Sequence, residues 1–132
     1  MATNVAVKLG LLEFYAGNRR DLNFQVFDID QSVTPAVKTP RNITDDTIKW
    51  AISRITGGTY SSTPVLQKSS ATGGGIEKTD PGSGWCRVSL LKADTDKLLG
   101  DYHQELEDFD LDGESQVVAV GLVRILLNVK NT

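Results

Sequence analysis

Asp108-Phe109-Asp110-Leu111-Asp112-Gly113 has the spacing with which a calcium-binding EF-hand loop opens: alternating carboxylates, then glycine. Such a loop closes on a bidentate Glu at its twelfth position and lies between two helices. Counted from Asp108, the twelfth residue is Ala119, and both flanks alternate as strands do. The stretch therefore reads as a hairpin turn, with Asp early in the turn and Gly113 where φ is positive. The alternative is a looser calcium site built from Glu107, Asp108, Asp110 and Asp112, with a neighbouring subunit completing it.

Other residue types that do chemistry are scarce. His103 is the only histidine and falls on the polar face of its run, beside Glu105, where a surface residue is expected. Cys86 is the only cysteine, so an intramolecular disulfide and a CxxC metal site are both excluded. Alternation puts Cys86 on an apolar face and His103 on a polar one, which separates a nucleophile from its base. Gly73-Gly74-Gly75 leads into a strand-like run, whereas a phosphate loop leads into a helix N-terminus. HExxH and GxSxG patterns are absent. The Asp94/Asp96 and Asp110/Asp112 pairs lie in turns and read as solvated turn acids. The expectation is a protein that is not an enzyme, with no catalytic residues, no cofactor and no metal. Two rings remain as a sugar platform, Trp85 on the polar face of its strand and Tyr60 in a Gly/Ser/Thr loop. Trp85 suits a protein interface equally well, since Trp is enriched there.

The elements that must position these residues are short and alternating. Leu22, Phe24 and Val26 alternate with Asn23 and Gln25; Ile48, Trp50 and Ile52 alternate with Lys49, Ala51 and Ser53. Cys86, Val88 and Leu90 follow the same rule, as do Tyr102, Gln104 and Leu106. Side chains alternate across a strand, so each run predicts a half-buried β-strand. Pro35 and Pro40 flank one loop, and Gly57-Gly58, Pro64, Gly73-Gly74-Gly75 and Pro81-Gly82-Ser83-Gly84 punctuate the other runs. The result is an all-β chain of about seven to nine antiparallel strands, a sandwich or a barrel. One short helical turn is expected over Lys92 to Leu99, capped by Asp94.

With 132 residues the chain is one domain, 1–132. At 39% hydrophobic it can fill a core, yet no apolar run is long enough to span a bilayer, so no membrane partner is expected. A net charge of -3 argues against nucleic acid as a partner. Met1-Ala2-Thr3-Asn4 does not read as a signal peptide, and a single cysteine suits a reducing cytoplasm. Residues 1–20 contain a further alternating run, Val5, Val7, Leu9 and Leu11, which reads either as a first strand or as an arm for assembly. From Val117 to Val129 both faces are apolar: Val117, Val123, Ile125 and Leu127 on one, Val118, Val120, Leu122 and Leu126 on the other. A sandwich strand needs one apolar face, so the second must be covered by the N-terminal run or by another subunit. Val5, Val7, Leu9, Trp85, Leu122 and Leu126 are therefore the candidate interface residues.

A succession of short motifs runs through two thirds of the chain: Thr47/Ile48/Trp50, Lys68/Ser69, Gly74/Gly75/Ile76, Gly84/Val88/Leu90, Asp94/Thr95, Gly100/Tyr102/Glu105 and Asp112/Gly113. In this order they resemble a family of small immunoglobulin-like β-sandwich structural proteins of tailed bacteriophages. Its members serve as collar or tail-fibre attachment, baseplate or head-associated proteins. The resemblance implies a virion protein, made and assembled in the host cytoplasm, that forms a homo-oligomer with neck, tail or capsid neighbours and anchors fibres. A capsid decoration protein is the alternative, and a glycan-binding module the third. Trp50 looks like the inward Trp of such a sandwich, and Leu98-x-Gly100-x-Tyr102 like a tyrosine corner. Trp50, Val88, Leu90, Tyr102 and Leu106 are the expected core.

Overall fold

The computed structural model describes residues 6–127. Val5 and Val129 lie outside the described residues. Twelve strands follow one another: β1 (Val7–Lys8), β2 (Leu12–Tyr15), β3 (Arg20–Gln25), β4 (Phe27–Asp30), β5 (Val37–Pro40), β6 (Thr47–Thr56), β7 (Thr59–Tyr60), β8 (Leu66–Ser69), β9 (Ile76–Asp80), β10 (Trp85–Leu90), β11 (Gly100–Phe109) and β12 (Ser115–Leu126). A short 3-10 turn, Pro81–Ser83, precedes β10, and one helical turn, α1 (Lys92–Thr95), follows it.

The larger sheet is centred on β6, β11 and β12, which pair antiparallel. On its far side β6 also pairs with β7 and β8. The outer edge of β12 is taken by β1 and β2, both parallel to it. The smaller sheet has the order β3-β10-β9. This is the strand arrangement of an immunoglobulin-like sandwich, with β3, β10 and β9 in one sheet and β6, β11 and β12 at the heart of the other. The fold is all-β.

Inward residues of the two sheets meet in one apolar core. Trp50, Val88, Leu90, Tyr102 and Leu106 are all at most 1% exposed, together with Ile48, Ile52, Cys86 and Val123. Tyr102 stands at the start of β11, and its hydroxyl donates to the Leu99 carbonyl at 3.0 Å, which ties the strand to the connection before it. Two residues further on, an antibody domain carries a cysteine of its inter-sheet disulfide. Here that place holds Gln104, 2% exposed, whose Oε1 accepts the Trp50 indole N–H at 3.0 Å. A polar side chain thus stands where the antibody fold has a cysteine, and it satisfies the donor that a buried Trp on the neighbouring strand brings with it.

Three expectations need correction. The alternation read along Val117–Leu127 breaks, because Leu106 pairs with Ala119 while Glu107 pairs with Val117. The extra residue is Val118, a β-bulge. Val117 therefore sits opposite outward Glu107, whereas Val118 and Ala119 are both buried. Asp94 does not cap the helical turn from outside. It is the third residue within it, and its carboxylate reaches back to accept the Leu91 N–H at 2.7 Å. The turn is also shorter, Lys92–Thr95, because Asp96 and Lys97 leave the helical pattern before Leu98.

The third concerns the stretch between Pro35 and Pro40, which read as a loop. Val37–Pro40 forms β5, paired with β4 in a two-stranded ribbon apart from both sheets. Every residue from Gln31 to Pro40 is exposed, so no alternating burial pattern existed to mark the second strand.

Candidate interaction surface

The hairpin after β11 is a turn. Gly113 has φ 81°, its N–H donates to the Asp110 carbonyl at 3.0 Å, and the Asp110 carboxylate accepts the Asp112 and Glu114 N–H groups at 2.9 and 3.0 Å. The four acids proposed as a loose calcium site do not converge. Asp108 points inward and is 1% exposed, Asp110 is occupied with its own turn, and Asp112 is exposed. Among the described residues no three His, Cys, Asp or Glu side chains are grouped to hold a metal ion.

Asp108 instead meets Arg41. The guanidinium Nε lies 2.6 Å from Asp108 Oδ2 and donates its N–H toward Asp46 Oδ2 at 3.3 Å, while Nη1 donates to Asp28 Oδ1 at 2.9 Å. The Nε–H is aimed at Asp46, so Asp108 is in close ionic contact without a well-aligned hydrogen bond from Arg41. Burial, and then the Asp46 carboxyl beside it, push the Asp108 acid up to about 7 against the pull of Arg41. Two carboxyls in contact can bond only when one carries the proton. Sequence parity held this signal: Tyr102, Gln104, Leu106 and Asp108 form one inward series.

Cys86 is fully buried. Burial, with the Asp108 charge adding to it and Lys78 opposing, pushes the thiol up to about 11. At neutral pH that leaves almost no thiolate, the form a nucleophile needs. His103, expected as an ordinary surface residue, is part of a small stack. Tyr60 lies flat on its ring at 3.8 Å, and Nε2 sits 2.9 Å from Glu105 Oε1. Tyr60 belongs to β7, not to a loop, and remains half exposed. Trp85, 39% exposed, lies on β10 in the other sheet, so the two rings expected as a sugar platform do not share a surface.

The face centred on His103 has two grooves. One, of about 430 Å³, is lined by Ala51, Tyr60, Ser61, Gln67, Glu105 and Glu107. The other, of about 330 Å³, is lined by Lys8, Leu9, His103, Val120 and Leu122. Val7 and Leu9 lie along the outer edge of β12, where Val7 pairs with Ala119 and the Leu9 N–H donates to the Val120 carbonyl at 2.7 Å. The N-terminal run is therefore a first strand on its own domain. It leaves Val120, Leu122 and Leu126 half-buried, and Leu11 and Tyr15 beside them are exposed.

The motif residues are joined physically. Lys68 Nζ pairs with Asp94 at 2.7 Å, and the Ser69 N–H donates to the Gly74 carbonyl at 2.9 Å. Burial acts to raise Asp94, but Lys68 and the Leu91 N–H outweigh it and hold the carboxyl below its ordinary range. Thr95 is fully buried, and its hydroxyl accepts the Gly17 N–H at 3.1 Å. These contacts tie β8 to the loop after it and to α1, and α1 to the turn at Gly17, which is a structural task.

No family model matches the chain, and no curated protein does. Among solved structures it is similar to AggA, the major subunit of aggregative adherence fimbriae type I from Escherichia coli, at 11% identity over 91% of each chain with a TM-score of 0.29. A likeness that low supports no statement about function.

Proposed function

We propose that this is a non-enzymatic virion structural protein of a tailed bacteriophage, a multimeric connector of the neck or tail that anchors fibres. The observation that carries the reading is the outer face of the larger sheet. Val120 and Leu122 form a half-buried apolar patch that the chain's own first strand covers only along one edge; Arg124, ion-paired with Asp101 and Glu13, separates it from Leu126 and the exposed Tyr15 beside it. Incompletely covered apolar surface rimmed by charged pairs marks protein contact. The ordered motifs supply the phage assignment, and their side chains hold the sandwich together rather than presenting a reaction centre. Many copies on a symmetric platform would add weak contacts into a stable ring.

The test is the assembly state of the purified chain and of Leu122→Glu, by native mass spectrometry, with cryo-electron microscopy of the source particle. A closed ring at the neck or tail that Leu122→Glu dissolves without unfolding the domain supports the reading. Density on the head lattice would replace it with capsid decoration. Absence from the particle would end it, and glycan binding would come first.

A further inference from the structure

The β4–β5 ribbon is hydrogen-bonded to the sandwich at its root. The Arg41 N–H donates to the Val26 carbonyl and the Val26 N–H to the Gly84 carbonyl, both at 2.9 Å. Gly84 permits this approach, since a Cβ there would lie 2.5 Å from the Val26 oxygen and 2.9 Å from the Arg41 oxygen. Beyond the root, the ribbon pairs only within itself among the described strands, and its far half is wholly exposed.

One side-chain cluster spans that root. Arg41, the first residue after β5, bridges Asp28 on the ribbon to Asp46 and Asp108 on the body. A single guanidinium thus faces three carboxyls, of which Asp108 is fully buried and Asp46 nearly so. The other titratable group that interacts with Asp108 is Cys86 on β10, buried and neutral; Lys78 on β9 acts on Cys86, and its Nζ donates to the Thr44 carbonyl at 3.0 Å. Neither offers Asp108 a second cation in contact.

We propose that Arg41 with Asp28, Asp46 and Asp108 is a proton-operated latch that sets how firmly the β4–β5 ribbon is held to the sandwich. With Asp108 protonated, its O–H satisfies Asp46, and Arg41 is left to hold Asp28. With Asp108 ionised, two buried like charges in contact demand the guanidinium, and the partly exposed Asp28 contact is the one given up. Because Asp108 titrates near 7, the change falls within the ordinary range of cellular pH.

Amide hydrogen exchange of residues 27–40, corrected for the intrinsic pH dependence of exchange, tests this. Protection of the ribbon amides should fall by about tenfold between roughly pH 5.5 and 8.5, while the β6 and β11 amides change much less. Asp108→Asn should keep the acidic-state protection at both values. Asp28→Asn, at a partly exposed site that leaves the core untouched, should show the loose ribbon at both. Ribbon protection that does not change with pH in the natural chain, or that changes equally in Asp108→Asn, would overturn the latch. Full protection in Asp28→Asn would do the same. If Asp108→Asn does not fold, Asp46→Asn replaces it, and a persisting pH response there refutes the proposal.

Discussion

Replacing Gln104 with Leu tests the claim that Gln104, at the place of an antibody cysteine, stabilises the core by accepting the Trp50 indole N–H. Leu conserves most of the side-chain volume, so the main loss is the acceptor for the Trp50 indole, 3.0 Å away in a site where both residues are at most 2% exposed. An orphaned buried donor costs about 1–3 kcal/mol, and removing the need to bury an amide recovers part of that. A net loss of about 1–2 kcal/mol is expected. Trp50→Phe should cost more, about 2–4 kcal/mol, because it opens a cavity as well as leaving the Gln104 oxygen unpaired. In the double variant neither orphan remains, so the two losses should fall short of their sum by about 1–2 kcal/mol. Urea unfolding at constant m-value reads all four corners of the cycle, and the Gln104→Leu loss corresponds to a fall in Tm of roughly 3–8 °C. Additive losses within about 0.5 kcal/mol, or no loss in Gln104→Leu, would refute the reasoning.

Stability should depend on pH through Asp108. A carboxyl whose pKa is raised by folding binds its proton more tightly in the native state, so the stabilisation is complete below its unfolded value of 3.8 and declines as pH rises to about 7. The decline has an upper bound on the order of 4 kcal/mol, and Asp108→Asn should flatten it in urea titrations across that window. Cys86 should resist thiol reagents in the folded protein and react only as it unfolds, giving modification at the global unfolding rate; fast labelling in native buffer would contradict its burial. Gly121→Ala places a Cβ 2.9 Å from that of Leu9 and 3.3 Å from the Gln104 amide. It should loosen the first strand, and amide exchange at Val7–Leu9 should quicken well before the domain unfolds.

Fold class and core membership were legible in the sequence because period-2 alternation depends on neighbouring residues alone. Trp50, Val88, Leu90, Tyr102 and Leu106 could be placed inward by counting, as could the hairpin at Gly113. Counting failed where one residue broke the parity or where burial was absent. The bulge at Val118 exists only because β11 lies opposite, and β5 has no buried face to betray it. The acidic run that first suggested calcium shows the division most clearly. Sequence shows six residues with carboxylates at alternate places; the sheet sends Asp108 inward to Arg41, 67 residues earlier in the chain, and leaves Asp110 to close a turn. Whether a carboxylate is a solvated turn acid or a buried proton carrier depends on which distant charge and how much water reach it, and those are properties of tertiary packing.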